Sequence, residues 1–347
     1  MRELRFALFG TGFWARYQLA AWRELPQAKC VALYNRTRAK AERLADEFGI
    51  SAVYDQPEEL LRREELDFVD IVTDVGTHVQ FTQMALSRGL PVICQKPLAP
   101  LLREARALTE QAGAAGLPLL VHENWRWQRP IRRLKEILTS GVCGELVRAR
   151  IDYAHSFPVF DNQPFLKDLR RFILTDIGTH ILDVARFLFG EPATVFCHMR
   201  RIRPDIAGED LATVVLMQDN EEAAGGLGVT CNLSYASRWE LDRFPQTLIA
   251  VEGTAGGVSL GLDYELRIFG PDGVQRELAP PPDYPWADPQ YALVQSSIVD
   301  CQRNLLGALL GEGPAETTAE DNLRTLTLVD AAYASAENAC VIPVALI

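Results

Sequence analysis

The stretch Gly10-Thr11-Gly12-Phe13-Trp14-Ala15 decides the fold of this chain, because it joins a short apolar segment to a helical one. The preceding residues, Leu4 to Phe9, are uncharged apart from Arg5 and have the length of a buried strand. The residues that follow, as far as Trp22, favour a helix. A strand therefore runs through a glycine turn into a helix.

Small residues at three positions of this turn favour a bound dinucleotide. Gly10 permits the tight turn, Gly12 lets a pyrophosphate approach the backbone, and Ala15 allows close packing of helix on strand. The free N–H groups at the helix start and the positive end of its dipole then face the phosphates. An ordinary strand-helix turn is the alternative. The residues expected at the cofactor are Gly10, Thr11, Gly12, Phe13 and Trp14.

With 48% hydrophobic and 23% charged residues, the composition is that of a soluble globular protein, and 347 residues are enough for two domains of usual size. A formal net charge of -11 argues against a nucleic-acid partner, because proteins that bind nucleic acids usually carry a basic patch. The seven cysteines form no CxxC motif and no close cluster with histidine, which predicts neither a metal site nor disulfides. No apolar run reaches the roughly 18 residues of a membrane span, and the N-terminus does not resemble a signal peptide. We expect a cytoplasmic protein without a membrane partner.

The end of the second strand bears on the choice between NAD and NADP. A carboxylate there would bind the ribose 2′-hydroxyl and repel a 2′-phosphate. The strand Cys30 to Tyr34 is instead followed by Asn35, Arg36, Thr37 and Arg38, and guanidinium groups suit a phosphate. We predict NADP in preference to NAD, with Asn35 and Arg36 at the ribose. The alternative is that both arginines lie in solvent at a helix start.

Strands and helices alternate as far as about residue 122. Further strand candidates are Ala52 to Tyr54, Phe68 to Thr73, Pro91 to Cys94 and Leu119 to His122, and helix candidates are Arg38 to Phe48, Pro57 to Arg63, Thr77 to Arg88 and Pro100 to Ala115. Repeated βαβ units predict a doubly wound parallel sheet, a Rossmann domain, over residues 1–123. Ligands of such sheets bind at the carboxyl ends of the strands, where Thr73, His78, Gln95 and Lys96 fall.

The pattern changes after residue 123. A helix candidate, Pro130 to Ser140, precedes six strand candidates: Leu146 to Ala154, Thr194 to Arg203, Ala212 to Gln218, Gly226 to Leu233, Gln246 to Glu252 and Leu266 to Phe269. Two long helices, Tyr291 to Leu310 and Ala319 to Ala339, end the chain. We predict an α+β domain over residues 124–347 with an open, mostly antiparallel sheet, and allow for its last helix to pack back on the first domain.

Asp176 and His180 carry the chemistry of the second half. They lie four residues apart, so a helix places them on neighbouring positions of one face. Hydride transfer from an alcohol carbon needs a group that takes the hydroxyl proton and a donor that holds the developing oxygen charge. A carboxylate can orient the imidazole, and Lys96 at a strand end can supply the donor. A structural histidine bonded to Asp183 or Asp176 is the alternative, and a metal site is disfavoured because no further His or Cys motif occurs.

A set of motifs extends over nearly the whole chain: Gly10-Thr11-Gly12, Thr73 with His78, Gln95-Lys96-Pro97, Asn124 to Arg126, Asp176 to His180 and Ala331 to Glu337. This set resembles the glucose-fructose oxidoreductase and inositol dehydrogenase (Gfo/Idh/MocA) family. The resemblance implies a Rossmann domain and a C-terminal α/β domain for substrate binding and oligomerisation, whose sheet commonly forms the interface of a homodimer or homotetramer. It also implies a nicotinamide cofactor and the oxidation or reduction of a carbinol carbon in a sugar, polyol or related small molecule.

The resemblance assigns roles to single residues. The family's catalytic lysine maps onto Lys96, and its aspartate and histidine map onto Asp176 and His180, although the group that moves the proton differs among relatives. We expect His180 to accept the proton, Asp176 to be its partner and a substrate ligand, and Lys96 to donate to the substrate oxygen. Arg126 is expected near the nicotinamide, with a place in the core as the alternative. The whole expected cofactor site comprises Gly10, Thr11, Gly12, Phe13, Trp14, Asn35, Arg36, Thr73, His78, Gln95, Lys96 and Arg126.

Three departures from the family pattern leave the substrate open. Gln95 stands where relatives usually carry glutamate, which removes a negative charge beside Lys96. Asp74 stands where proline is common, and Arg170-Arg171-Phe172 replaces glycines that often precede the Asp and His motif.

Three classes of function therefore remain. The first is an oxidoreductase of sugar or polyol hydroxyls. The second is a lyase or glycoside hydrolase that keeps its nicotinamide bound and uses transient oxidation. The third is a redox-inactive regulator that binds a nucleotide or a sugar. The presence of Lys96, Asp176 and His180 argues against this third class.

Overall fold

The computed structural model describes residues 3–155, 159–218, 226–237 and 247–344, and the chain divides into two compact units. The first comprises Met1–Asn124, Tyr284–Ala287 and Gln295–Leu323, and the second comprises Trp125–Asp283, Asp288–Val294 and Arg324–Ile347. Gln246, the predicted start of one strand, lies outside the described residues. Each unit contains one sheet.

The sheet of the first unit has six strands in the order β3-β2-β1-β4-β5-β6. They are β1 (Leu4–Phe9), β2 (Ala28–Tyr34), β3 (Ala52–Tyr54), β4 (Phe68–Ile71), β5 (Val92–Gln95) and β6 (Leu119–His122). All neighbours pair in parallel, which confirms the predicted doubly wound fold. The strand order reverses between β1 and β4, so their carboxyl ends flank the point where such folds bind ligands.

Five helices alternate with these strands: α1 (Phe13–Arg23), α2 (Arg38–Phe48), α3 (Pro57–Arg63), α4 (His78–Leu86) and α5 (Leu102–Ala115). Glycines in the left-handed region end two of them, Gly49 after α2 (φ 64°) and Gly116 after α5 (φ 64°). The predicted helix Thr77 to Arg88 begins differently, because a 3₁₀ turn over Val75–Thr77 leads into α4.

The sheet of the second unit has nine strands in the order β14-β13-β12-β11-β7-β10-β9-β8-β15. They are β7 (Leu146–Ala154), β8 (Thr194–Arg200), β9 (Leu211–Met217), β10 (Gly228–Ser234), β11 (Thr247–Gly253), β12 (Gly257–Leu260), β13 (Glu265–Gly270), β14 (Gly273–Leu278) and β15 (Ile342–Pro343). Of these strands only β7 and β10 pair in parallel, so the predicted mostly antiparallel sheet is confirmed. Strands β12, β14 and β15 escape prediction, because β12 and β15 are very short and β14 is exposed without an apolar alternation.

Helix α8 covers one face of this sheet. The remaining helices are α6 (Arg129–Thr139), α7 (Val159–Asn162), α8 (Ile173–Phe189), α9 (Ala292–Leu310) and α10 (Ala319–Asn338). Helix α8 packs on β7, β9 and β10, and buries Ala149, Ile151 and Tyr153 of β7 beneath it. Arg148 and Arg150 of the same strand point to the opposite face and are exposed, as the two-residue period of a strand requires.

Part of the C-terminal region belongs to the first unit. Residues Gln295–Leu323, most of α9 with the start of α10, group with it. Asn124 Nδ2, for example, donates to Ser297 Oγ over 2.8 Å. The first unit therefore extends beyond the predicted range 1–123 and takes in a part of the predicted range 124–347.

The described part of the chain contains free thiols and no membrane-spanning helix. All seven cysteines lie within it, and none is in a disulfide. Within the same ranges, every helix is too short or too polar to cross a membrane. No group of three or more His, Cys, Asp and Glu side chains there is arranged to hold a metal ion.

Candidate functional site

The glycine turn after β1 leaves no room for a side chain at Gly10. Its φ is +100°, and a Cβ built there lies 2.6 Å from the carbonyl oxygen of Val72. Its N–H donates to the carbonyl oxygen of Tyr34, at the end of β2, over 2.8 Å. The turn is thus held between the ends of β2 and β4, and only glycine fits without strain.

The residues that follow leave the start of α1 open. Gly12 is its N-cap, and nothing lies within 4 Å of a Cβ built on it. Phe13 and Trp14 begin the first turn, which contains no acidic side chain. Thr11 Oγ1 beside them is buried and has no hydrogen-bond partner among the described residues. Open backbone at the positive end of a helix, next to an unsatisfied hydroxyl, fits the pyrophosphate of a dinucleotide.

The turn after β2 carries two arginines that differ in their ion pairing. Asn35 Nδ2 donates to the carbonyl oxygen of Thr37 over 3.0 Å, which orients the amide within its own loop. Arg38 forms an ion pair with Glu42, one turn along α2, over 2.8 Å. Arg36 is exposed and makes no ion pair within the described ranges. An adenosine ribose at this turn would therefore meet an amide and the Arg36 side chain, and no carboxylate at position 35.

His78 links the loops that follow β4 and β5. Its Nε2 lies 3.0 Å from the carbonyl oxygen of Thr73, and its Nδ1 lies 2.9 Å from that of Pro97. Burial lowers the pKa of His78, which favours the neutral ring, and a neutral ring donates to one of the two carbonyls. Thr73 itself accepts a hydrogen bond from the Thr77 hydroxyl over 2.8 Å. His78 therefore lies between the two loops, with one ring nitrogen next to a backbone carbonyl of each.

Lys96 begins the loop after β5, and Gln95 holds its backbone. The N–H of Lys96 donates to Gln95 Oε1 over 3.1 Å, and Gln95 Nε2 donates to Gln18 Oε1 over 2.8 Å. Gln18 Nε2 in turn lies 3.3 Å from both carboxylate oxygens of Asp70. The Lys96 side chain is half-buried. Within the first unit, the structure therefore brings Gln95 and Lys96 together with two buried residues, Gln18 and Asp70, that sequence reasoning missed.

In the second unit, α8 carries Asp176 and His180 one turn apart. The ring of His180 is 7% exposed and stacks on Trp125, with 4.7 Å between ring centroids and 15° between ring planes. Asp176 is half-buried and accepts a hydrogen bond from the hydroxyl of Tyr235 over 3.2 Å. The predicted acid and imidazole therefore share one helix, and each is held by an aromatic residue distant in sequence.

Tyr235 is the residue of this group that sequence reasoning did not find. It follows directly on β10, and its backbone N–H donates to the carbonyl oxygen of Asp210 over 2.9 Å. Burial raises the pKa of Tyr235 well above its usual range, with Tyr153 and Asp176 adding to the effect, so its hydroxyl remains a proton donor. No local pattern marks such a tyrosine, because its contact with α8 depends on sheet packing.

Arg126 lies within the second unit, and its guanidinium is paired there. Its Nε and Nη2 donate to the two carboxylate oxygens of Asp183 over 2.8 and 2.5 Å, in a pair that is almost wholly buried. Bidentate pairing of this kind fixes both side chains. The structure thus places Arg126 in the core beside α8, and contact with the cofactor stays a prediction.

The segment Arg170-Arg171-Phe172 anchors the start of α8. Arg171 forms ion pairs with Asp330 and Glu337 of α10 over 2.9 and 3.3 Å. The N–H of Phe172 donates to a carboxylate oxygen of Glu209 over 3.0 Å. The departure from the family's glycines at these positions therefore has a structural use in this chain.

Comparison with known proteins covers both units. Residues 4–123 match the family model described as oxidoreductase family, NAD-binding Rossmann fold. Residues 131–259 match the model of the GFO/IDH/MocA C-terminal domain. The two matches follow one another along the chain, in the order of the two sheets.

Similarity to individual proteins extends over nearly the whole length. The chain is 39% identical to D-apiose dehydrogenase of Paraburkholderia graminis, over 97% of this chain and 88% of that protein. It is 38% identical to D-apiose dehydrogenase of Rhizobium rhizogenes, over 97% and 96% of the two chains. Among solved structures, an oxidoreductase from Agrobacterium radiobacter in complex with NAD+, L-tartaric acid and magnesium superposes with a TM-score of 0.95 at 38% identity, over 99% of this chain and 98% of that one.

Proposed function

Because the chain belongs to the GFO/IDH/MocA family of oxidoreductases, we propose that it oxidises the sugar D-apiose. It is an NAD(P)-dependent dehydrogenase that acts on the CH–OH group of a sugar or related small molecule, and it binds a nicotinamide cofactor. The observation that carries the choice of sugar is the extent of the similarity. Two enzymes named for D-apiose are similar to both units and not to the nucleotide-binding unit alone.

Oxidation of a CH–OH carbon removes a hydride from carbon and a proton from oxygen. A bound nicotinamide supplies the hydride acceptor. We assign the proton to His180, because stacking on Trp125 holds its ring plane. Asp176, oriented by the Tyr235 hydroxyl, is its partner and a substrate ligand, and Lys96 donates to the substrate oxygen.

The substrate proposal is tested by steady-state kinetics with D-apiose, D-xylose and D-ribose at matched concentrations, followed by absorbance of the reduced nicotinamide. We expect kcat/KM for D-apiose to exceed that for either pentose by at least about tenfold. A higher kcat/KM for another sugar would overturn the choice of D-apiose. Consumption of sugar without net reduction of cofactor would instead identify the lyase or hydrolase alternative.

For the cofactor, we propose a preference for NADP. The support comes from Arg36 and Asn35. Arg36 forms no ion pair among the described residues, so its guanidinium can make a charge-assisted hydrogen bond to a 2′-phosphate. Asn35 presents an amide there, and no carboxylate that would repel the phosphate. Replacing Arg36 by alanine should weaken NADPH binding by about tenfold and leave NADH binding unchanged. Arg38→Ala is the matched control, because Arg38 is already paired with Glu42. Tighter binding of NADH than of NADPH by the unmodified chain would refute the preference.

We also propose that copies of the chain associate through the face of the nine-stranded sheet opposite α8. This face exposes Phe196 and Met217, each 39% accessible, and also carries ion pairs such as Arg150 with Asp152. Exposed apolar side chains among paired charges favour a self-complementary contact. Light scattering should give the mass of a dimer or tetramer, and Phe196→Glu should shift it toward the monomer. A monomeric unmodified chain at micromolar concentration would contradict the proposal.

A further inference from the structure

A buried carboxylate lies inside the sheet of the first unit. Asp70 of β4 is wholly buried, between apolar neighbours on a central strand. It accepts a hydrogen bond from Trp22 Nε1 over 2.8 Å and from Gln18 Nε2 over 3.3 Å. Burial of an ionisable group costs free energy, so we ask what Asp70 contributes at this position.

From Asp70 an unbroken series of hydrogen bonds runs to the backbone of Lys96. Gln18 is bonded to Asp70 at one end of its amide and accepts from Gln95 Nε2 at the other, over 2.8 Å. Gln95 in turn accepts from the N–H of Lys96 over 3.1 Å. Two side-chain amides therefore connect the Asp70 carboxylate with the start of the loop after β5.

The ionised carboxylate fixes the direction of this series. It can only accept, so it binds the NH₂ group of Gln18 and turns the Gln18 oxygen toward Gln95. The oxygen of Gln18 in turn binds the NH₂ group of Gln95 and leaves the Gln95 oxygen for the Lys96 N–H. A reversed amide at either position would set two donors or two acceptors against each other.

We propose that Asp70 and Gln18 are positioning residues for the reaction, which fix Lys96 by fixing the orientation of the Gln95 amide. The proposal rests on the proposed function, in which Lys96 donates to the substrate oxygen. It also gives a reason for glutamine at position 95, because an amide donates to Gln18 and accepts from Lys96 at once, whereas the carboxylate of a glutamate only accepts.

The test exchanges the two ends of the series. In Gln95→Glu, the new carboxylate cannot donate to Gln18. In Asp70→Asn, the Trp22 N–H takes the new amide oxygen, so the new NH₂ group faces the NH₂ group of Gln18. In the double variant the series runs the other way. The new amide at position 70 then donates to the Gln18 oxygen, and the Gln18 NH₂ donates to the new carboxylate at position 95, which still accepts from Lys96. His122, with Nδ1 3.4 Å from Gln95 Nε2, can follow through a change of tautomer.

We expect each single variant to lower kcat by about tenfold or more and the double variant to regain most of it, since small displacements of a reacting group are costly. Assays at about pH 8 keep Asp70 ionised, because its pKa is raised by burial to about 7. The dissociation constant of the cofactor should change little. A double variant no better than the worse single variant, or an unaffected Gln95→Glu, would overturn the proposal.

A second pair of variants keeps the test decisive if Asp70→Asn does not fold. Gln18→Met breaks the series, whereas Gln302→Met removes an equally buried amide that donates to the backbone oxygen of Gln18 over 3.2 Å. Both should lower the melting temperature, and only Gln18→Met should lower kcat. Equal kcat in the two variants would contradict the positioning role.

Lys96→Ala separates this proposal from the proposed function. If Lys96→Ala keeps full turnover, the assignment of Lys96 to the reaction fails, and the positioning role fails with it. If Lys96→Ala is inactive and Gln18→Met is fully active, only the positioning role fails. If Lys96 acts in the reaction and Gln18 positions it, any weak activity that remains in Lys96→Ala should not fall further when Gln18→Met is added. This is expected for residues that act through one group.

Discussion

The glycine turn of the first unit and the acid-imidazole pair of the second differ in what determines their chemistry. At Gly10 the decisive property is the backbone, with φ of +100° and a Cβ position occupied by the carbonyl of Val72. At His180 the decisive property is the environment of the side chain, because its ring stacks on Trp125, which lies 55 residues earlier in the chain. A local sequence pattern therefore identifies the turn, whereas the pair is recognised by spacing but its environment is not.

The largest expected effect concerns His180. Replacement by glutamine should lower kcat by about a hundredfold to ten-thousandfold, the range for loss of a general base. Thr179→Ala is the control, since it removes from the same turn a hydroxyl that donates to the carbonyl oxygen of Asp176 over 2.8 Å. The control should keep kcat within about twofold. A His180→Gln enzyme with more than about a tenth of normal kcat would mean that His180 is not the base.

Asp70 should make stability depend on pH. Its pKa is raised from 3.8 to about 7 by burial, so the folded protein holds this proton more tightly than the unfolded chain. The resulting stabilisation is complete below the unfolded pKa and is lost as the pH rises through 7, a change of roughly 4 kcal/mol. The free energy of unfolding, measured relative to Asp70→Asn between about pH 4 and pH 8, should fall by that amount. A difference independent of pH would contradict the buried, proton-binding state of Asp70.

The two glycines of the turn should respond differently to alanine. Gly10→Ala places a Cβ against the Val72 carbonyl at positive φ and should lower the free energy of unfolding by about 2–3 kcal/mol. Gly12→Ala meets nothing within 4 Å and should leave stability within about 0.5 kcal/mol. It should nevertheless weaken cofactor binding by about tenfold, because the methyl group occupies the approach of the pyrophosphate. Unchanged cofactor affinity in Gly12→Ala would remove the turn from the cofactor site.

The smallest expected effect is that of the hydroxyl of Tyr235. Tyr235→Phe leaves Asp176 without this donor and should raise the activation barrier by about 1–2 kcal/mol, seen as a lower kcat. Tyr333→Phe is the matched control, because its hydroxyl donates to Glu209 over 2.6 Å. The control should affect melting temperature and leave kcat unchanged. Equal kcat in both variants would show that Tyr235 does not orient the acid.

The architecture could be predicted from the sequence where apolar runs and turn residues coincide. The six parallel strands and the helix with Asp176 and His180 follow from such runs. Asp70 is a visible anomaly in an apolar strand, yet nothing in the sequence indicates Gln18 as its neighbour, 52 residues earlier. The pairing of Arg126 with Asp183 is equally invisible, because contacts between distant segments depend on how the elements pack. Short or exposed strands such as β12 and β14 are hard to predict because they bury little and therefore carry no hydrophobic pattern.

The most direct test of the central claim follows the hydride. D-Apiose deuterated at its carbon-bound positions is mixed with the enzyme and oxidised cofactor, and the reduced cofactor is analysed by mass spectrometry. We predict one deuterium in each molecule of reduced nicotinamide, formed in equal amount to the sugar oxidised. Sugar consumed without labelled, reduced cofactor would contradict the assignment of this chain as a sugar dehydrogenase.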